Sequence, residues 1–110
     1  MSPVHELLRQ AIEERRCVEA VFGGYRRGLC PHVLGTKDGE LRVLCFQYAG
    51  GSSRGLSPGG DWRCFPLGGL SQVALVEGDW RTKPHSQPQS CVDEVELSPA
   101  SASARAARGA

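Results

Sequence analysis

Two apolar runs meeting at Lys37-Asp38-Gly39-Glu40 limit what this chain can fold into more than any other feature. Asp-Gly between such runs favours a two-residue type I′ turn, because both central residues must take positive φ. The stretch from Tyr25 to Tyr48 is therefore expected to be two antiparallel strands joined at that turn. In the second strand, Leu41-Arg42-Val43-Leu44-Cys45-Phe46 is apolar on both faces of the pleat apart from Arg42. A strand of that kind is covered on both sides and belongs at the centre of a sheet. The first strand carries Pro31, which cannot donate a ladder hydrogen bond and so marks an edge, a bulge or a sharp bend.

The remaining elements flank this hairpin. Ser2-Pro3 is a helix start, with Ser as N-cap and Pro at the first helical position. Val4, Leu7, Leu8, Ala11 and Ile12 follow as one apolar stripe at helical spacing. Cys17 to Gly23 alternates, with Val18, Ala20 and Phe22 on one face, and Gly23-Gly24 turns the chain into the hairpin. Ala49 to Gly60 is a loop rich in Gly and Ser. Asp61 to Leu67 returns as a strand with Arg63, Phe65 and Leu67 on one side and Trp62 and Cys64 on the other. Gly68-Gly69 breaks it, and Val73-Ala74-Leu75-Val76 forms the last strand. One helix and five short strands without crossover helices predict an antiparallel, mainly β (α+β) domain over residues 1–81. Closing the strands into a small barrel would remove exposed edges. From residue 82 onward, three of the seven prolines and many Ser and Ala residues predict a disordered tail over 82–110. Within it, Cys91 to Leu97 could add a strand or serve as a short acidic partner motif.

Up to Trp80 the nine Lys/Arg balance nine Asp/Glu, so no global surplus announces a nucleic acid or a basic partner. The five cysteines, Cys17, Cys30, Cys45, Cys64 and Cys91, are odd in number and lack a C-x-x-C pair. Four lie in apolar strand patterns, where a thiol behaves as a small buried hydrophobe. They predict a reduced, cytoplasmic protein, and no segment resembles a signal peptide or a membrane span.

Gly51-Ser52-Ser53-Arg54-Gly55 matches G-x-S-x-G literally, but a nucleophile elbow needs a helix straight after the serine, which Leu56-Ser57-Pro58-Gly59-Gly60 will not form. The same loop lacks the Gly-Lys-Ser/Thr ending of a phosphate-binding loop. Cys30 and His32 form one weak metal-ligand pair where a structural zinc site needs two, so no metal or cofactor is expected. No catalytic constellation emerges, and binding is left. Arg27, Arg42 and Arg63 lie amid Tyr25, Phe46, Tyr48, Trp62 and Phe65. Guanidinium groups beside aromatic rings suit nucleotides or single-stranded nucleic acid, the charge meeting phosphate and the rings stacking on bases. The alternative is that the rings are core and the arginines are solvated or paired with Glu19, Glu40 and Asp61.

The order of these features resembles the WYL domain family, small SH3/Sm-like barrels of bacterial regulators and of proteins tied to phage defence. The resemblance rests on Leu8-Arg9-Gln10-Ala11-Ile12, Val18 to Phe22, Tyr25 to Gly35, Leu41 to Phe46 and Trp62 to Leu70, and spans about residues 6 to 80. The naming triplet would fall at Arg42-Val43-Leu44, where only the leucine matches, and a helix-turn-helix is lacking. The resemblance thus implies a small standalone relative with a helix packed on a five-stranded SH3/Sm-like barrel. Its implied function is transcription regulation or a related role, by a non-catalytic module that binds a nucleotide, a nucleic-acid fragment or another anionic ligand. Arg27, His32 and Arg63 match positions expected to bind, and Arg42 is a candidate by place. The competing expectation is a protein-interaction module that docks a larger assembly through the barrel or through Val92 to Leu97, with no membrane involvement.

Overall fold

The computed structural model describes residues 3–51, 55–56, 59–81 and 89–99. The capping role expected of Ser2, the serines of the G-x-S-x-G match and most of the proposed tail lie outside the described residues. Helix α1 spans Pro3–Glu14. Its stripe buries Leu8, Ala11 and Ile12 completely, and Val4 packs at the margin of the same core.

Strands β1 (Cys17–Phe22) and β2 (Tyr25–Lys37) are joined at Gly23-Gly24, both at positive φ. Strand β3 (Glu40–Gly50) returns through Asp38 and Gly39 at φ 52° and 79°, with Lys37 opposite Glu40. That is the I′ hairpin which Asp-Gly dictates. Strand β4 (Asp61–Pro66), a 3-10 turn at Leu67–Gly69, strand β5 (Ser71–Val76) and strand β6 (Glu94–Leu97) complete the chain. The antiparallel strands run in the order β4-β3-β2-β1-β5, and β6 pairs with β2.

The closed barrel is corrected to an open, curled sheet. Among the described residues β4 and β5 share no ladder; the 3-10 turn carries the chain between them. Helix α1 packs on β2 and β5 and fills the concave face, so the core is covered without hydrogen-bonded closure. Among the described residues there are six strands rather than five.

Strand β2 explains the sixth. Its first half pairs with β1 and Leu34–Thr36 pair with β6, while β3 runs along the other edge. The ladder to β3 slips between Pro31 and Val33, which is the expected break. The Pro31 carbonyl accepts a hydrogen bond from the Trp80 indole Nε1 at 3.3 Å rather than from a strand. Within a strand the N–H and C=O of one residue leave by the same edge. Pro31 therefore occupies the one gap between β1 and β6 where a missing N–H leaves nothing unpaired.

The C-terminal segment around β6 is ordered, which corrects the disordered tail for residues 89–99. Val92 and Leu97 are buried, Asp93 N–H donates to Thr36 O at 2.9 Å, and Lys37 Nζ donates to Ser90 O at 2.7 Å. Gly35 permits the approach, since a Cβ there would run into the Glu94 carbonyl oxygen. Glu96 binds His5 at 2.9 Å and the Arg9 guanidinium, tying β6 to α1. A Cys64–Cys91 disulfide fastens the same segment to β4. The all-reduced reading is thus corrected for two of five cysteines, while Cys17, Cys30 and Cys45 are free thiols. No helix among the described residues is long and apolar enough to cross a membrane.

Two outcomes follow for this segment. The disulfide spans a sequence separation of 27, and Cys91→Ser should lower unfolding free energy in urea by about 3 kcal/mol. Burial would push the Glu96 carboxyl up, but hydrogen bonds from His5 and Arg9 outweigh it and hold the group below its usual 4.5. A carboxylate depressed in the folded state contributes stability present above the unfolded value and lost as pH falls through the folded one. The protection factor of the Leu97 amide, its exchange measured relative to the unfolded chain, should therefore fall as the solution is acidified below 4.5, and Glu96→Gln should flatten that dependence.

Candidate anion-binding site

Alternation along the strands sorts the side chains onto two faces. The inner, helix-covered face takes Leu29 from β2, Val43 and Cys45 from β3, and Phe65 from β4. The rows Leu29–Gln47–Asp61 and Pro31–Cys45–Arg63 run across β2, β3 and β4. By the same parity Arg27, Gln47, Asp61 and Arg63 share the inner face, at the end beyond the apolar core.

Arg27 is the centre of this polar end and is only 6% exposed. Its guanidinium lies 5.4 Å from the ring centres of Phe22 and Phe65 and 5.8 Å from that of Tyr25. It donates through Nε and Nη2 to the Phe22 carbonyl, at 3.3 and 3.1 Å, and through Nη1 to Gln47 Oε1 at 3.2 Å. No carboxylate among the described residues forms an ion pair with it. Burial lowers its pKa first, and the charge of Arg63 lowers it further. A guanidinium remains protonated regardless, so both positive charges persist.

Arg63 donates through Nη2 to Gly55 O at 2.8 Å and to Asp61 Oδ2 at 3.3 Å. Its Nε is buried and has no acceptor among the described residues. Asp61 thus pairs with Arg63, while the neighbouring Arg27 forms no ion pair with a carboxylate among the described residues. Gln47, fully buried, holds the arrangement in place. Its Nε2 donates at 3.2 Å to the carbonyls of Ala49 and Gly51, which fixes the chain where it leaves β3.

The other two sequence candidates are elsewhere. Arg42 is on the outer face, where its Nε pairs with Glu40 at 2.9 Å. His32 packs among rings on that face, stacked on Trp80 at 4.0 Å and edge-on to Trp62 at 4.6 Å. Its Nδ1 lies 2.7 Å from Cys30 O, and since a carbonyl only accepts, that nitrogen carries the proton. Phe46 and Tyr48 join the same outer cluster. The sequence candidates therefore divide: Arg27 and Arg63 come together beside Tyr25 and Phe65, whereas Arg42 and His32 do not join them. The Cys30–His32 pair does not extend to a metal cluster, and no group of three His, Cys, Asp or Glu suited to a metal occurs among the described residues.

Sequence reasoning passed over Gln47 and Phe22. Gln47 did carry a signal, being the polar residue that continues the inward parity of Val43 and Cys45. Comparisons with protein-family models, with curated proteins and with solved structures return no match.

Gln47→Leu should test the scaffold, because it strips Arg27 of a buried acceptor and strands two backbone carbonyls. A loss of about 1–3 kcal/mol in urea unfolding is expected, more than a Gln-to-Leu change at an exposed strand position would give.

Proposed function

We propose that this chain is a non-catalytic regulatory module that binds an anionic ligand, a nucleotide or nucleic-acid fragment being the best fit, through Arg27 and Arg63. The observation that carries this reading is the Arg27 guanidinium, buried beside a second guanidinium and without a carboxylate of its own among the described residues. Burying a cation without a counter-charge is costly, so such an arrangement is kept where an anion completes it. The buried Nε of Arg63 is a further donor for such a group. Planar guanidinium forks suit the paired oxygens of a phosphate. Tyr25, 41% exposed beside Arg27, offers a ring on which a base can stack. The resemblance to WYL domains supports the same ligand class. The competing docking role is weakened for the tail, because Val92 and Leu97 are already buried against the chain's own sheet.

The test is fluorescence anisotropy of labelled single-stranded DNA and RNA, at two salt concentrations, with folded wild type, Arg27→Gln and Arg63→Ala. Affinity should fall as salt rises and drop at least about tenfold in either variant, roughly 1.4 kcal/mol of binding energy. Added phosphate should also raise the melting temperature of the wild type more than that of Arg27→Gln. Absence of binding at tens of micromolar, together with no phosphate-dependent stabilisation, would reject the proposal.

A further inference from the structure

Away from the anion site, β1 and β2 bring two thiols together on the outer face. Cys17 Sγ and Cys30 Sγ are 3.1 Å apart, and both residues are fully buried. Register pairs Val18 with Leu29, which sets the two cysteines side by side across the ladder. Residues 79–81 close over them. The Cys17 thiol donates to Asp79 O at 3.3 Å, Arg81 N–H donates to Cys30 Sγ at 3.2 Å, and the Trp80 indole is anchored on Pro31 O. Arg81 is in turn seated over the Tyr48 ring at 4.3 Å.

We propose that Cys17 and Cys30 form a reversible dithiol–disulfide site, oxidised by exchange with a low-molecular-weight disulfide when the 79–81 segment lifts. The sulfurs already face each other, and bond formation asks for an approach of about 1 Å along that line, to the usual bond of about 2 Å. In the exchange one protein thiol loses its proton and attacks the small disulfide, expelling one thiolate, which takes up that proton. The second protein sulfur then attacks the mixed disulfide and expels the other thiolate with the remaining proton. Two protein thiols and one disulfide become one protein disulfide and two small thiols. Metal capture is a poorer account, because no third ligand adjoins the pair among the described residues.

The overlying segment sets the conditions. Both cysteines are fully buried, so an incoming disulfide reaches them only when covering residues, Trp80 and Arg81 among them, move aside. Burial also pushes the Cys30 thiol up to about 12, which keeps that thiol protonated and unreactive while it is covered. Cys45 lies inside the inner core and has no sulfur partner, so it is a bystander in this reaction.

The experiment incubates the intact chain, its Cys64–Cys91 bond formed, with excess oxidised glutathione, then alkylates it under denaturing conditions without reductant. Labelled thiols should fall from three to one, Cys45, and peptide mapping should recover a Cys17–Cys30 link. Trp80→Ala should reach that state faster than wild type, and Cys17→Ser should keep Cys30 and Cys45 labelled or form a glutathione adduct. Three labelled thiols in both wild type and Trp80→Ala would overturn the proposal. So would a wild-type glutathione adduct on Cys30 that never resolves onto Cys17.

Discussion

The fold depends on how β2 is partnered. Thirteen residues of extended chain expose two rows of backbone groups, and a buried row left without partners is costly. Strand β3 takes one row along almost its whole length. The other row is divided between β1 and β6, elements far apart in sequence, with the Trp80 indole bridging the gap at Pro31. The bulge there also resets the pleat. His32 and Val33 both belong to outer-face clusters, and Leu34 returns to the core under α1. The slip in register between Pro31 and Val33 therefore lets one strand serve the helix-covered core at both of its ends.

That division gives the sheet two unlike faces. The inner one is an apolar core under α1 that ends in the Arg27–Gln47–Arg63 cluster. The outer one carries no helix among the described residues and is covered piecewise, by residues 79–81 over Cys17, Cys30 and Phe46, and by residues 91–92 over Leu44 and Val33. Aromatic residues suit such patchwork, since Trp62 touches both outer clusters while Trp80 packs its ring on His32 and still reaches a backbone acceptor. The disulfide belongs to the same logic. A four-residue strand and a few side-chain contacts make a weak hold on the chain end, and a covalent tie to β4 offsets the entropy of keeping it there.

Local chemistry made most of this legible. Asp38-Gly39 specified its turn, the helical stripe identified Leu8, Ala11 and Ile12, and Pro31 announced the break in β2. The double-sided apolar character of β3 placed it between β2 and β4. Alternation was enough to put Arg63 with Phe65 and Trp62 with Cys64 on opposite faces. What escaped was non-local. Val92 and Leu97 are isolated apolar residues between Ser- and Pro-rich flanks, and only a preformed β2 edge and the distant Cys64, His5 and Arg9 hold them in an ordered segment. Composition sees the flanks and not the edge. The place of His32 apart from Arg27 and Arg63 escaped for the related reason that its surroundings, Trp62 and Trp80, lie far along the chain.

Arg27 is where the local rules and the fold disagree, and the disagreement is informative. At its position the pleat demands an inward side chain, flanked by Leu29 on its own strand and by Phe22 and Phe65 from its neighbours. An aliphatic residue would satisfy that surrounding without a desolvated charge. Structure alone gives the arginine a carbonyl and an amide for company, enough to orient the fork but not to neutralise it. Arg63 then worsens the electrostatics, with Asp61 the one carboxylate paired with it among the described residues. A stability argument has no use for two guanidinium groups in that relation, whereas an anion bound between them would neutralise the cluster and occupy the buried donor on Arg63. The polar end of the inner face is therefore the part of the structure on which the proposed anion-binding role rests.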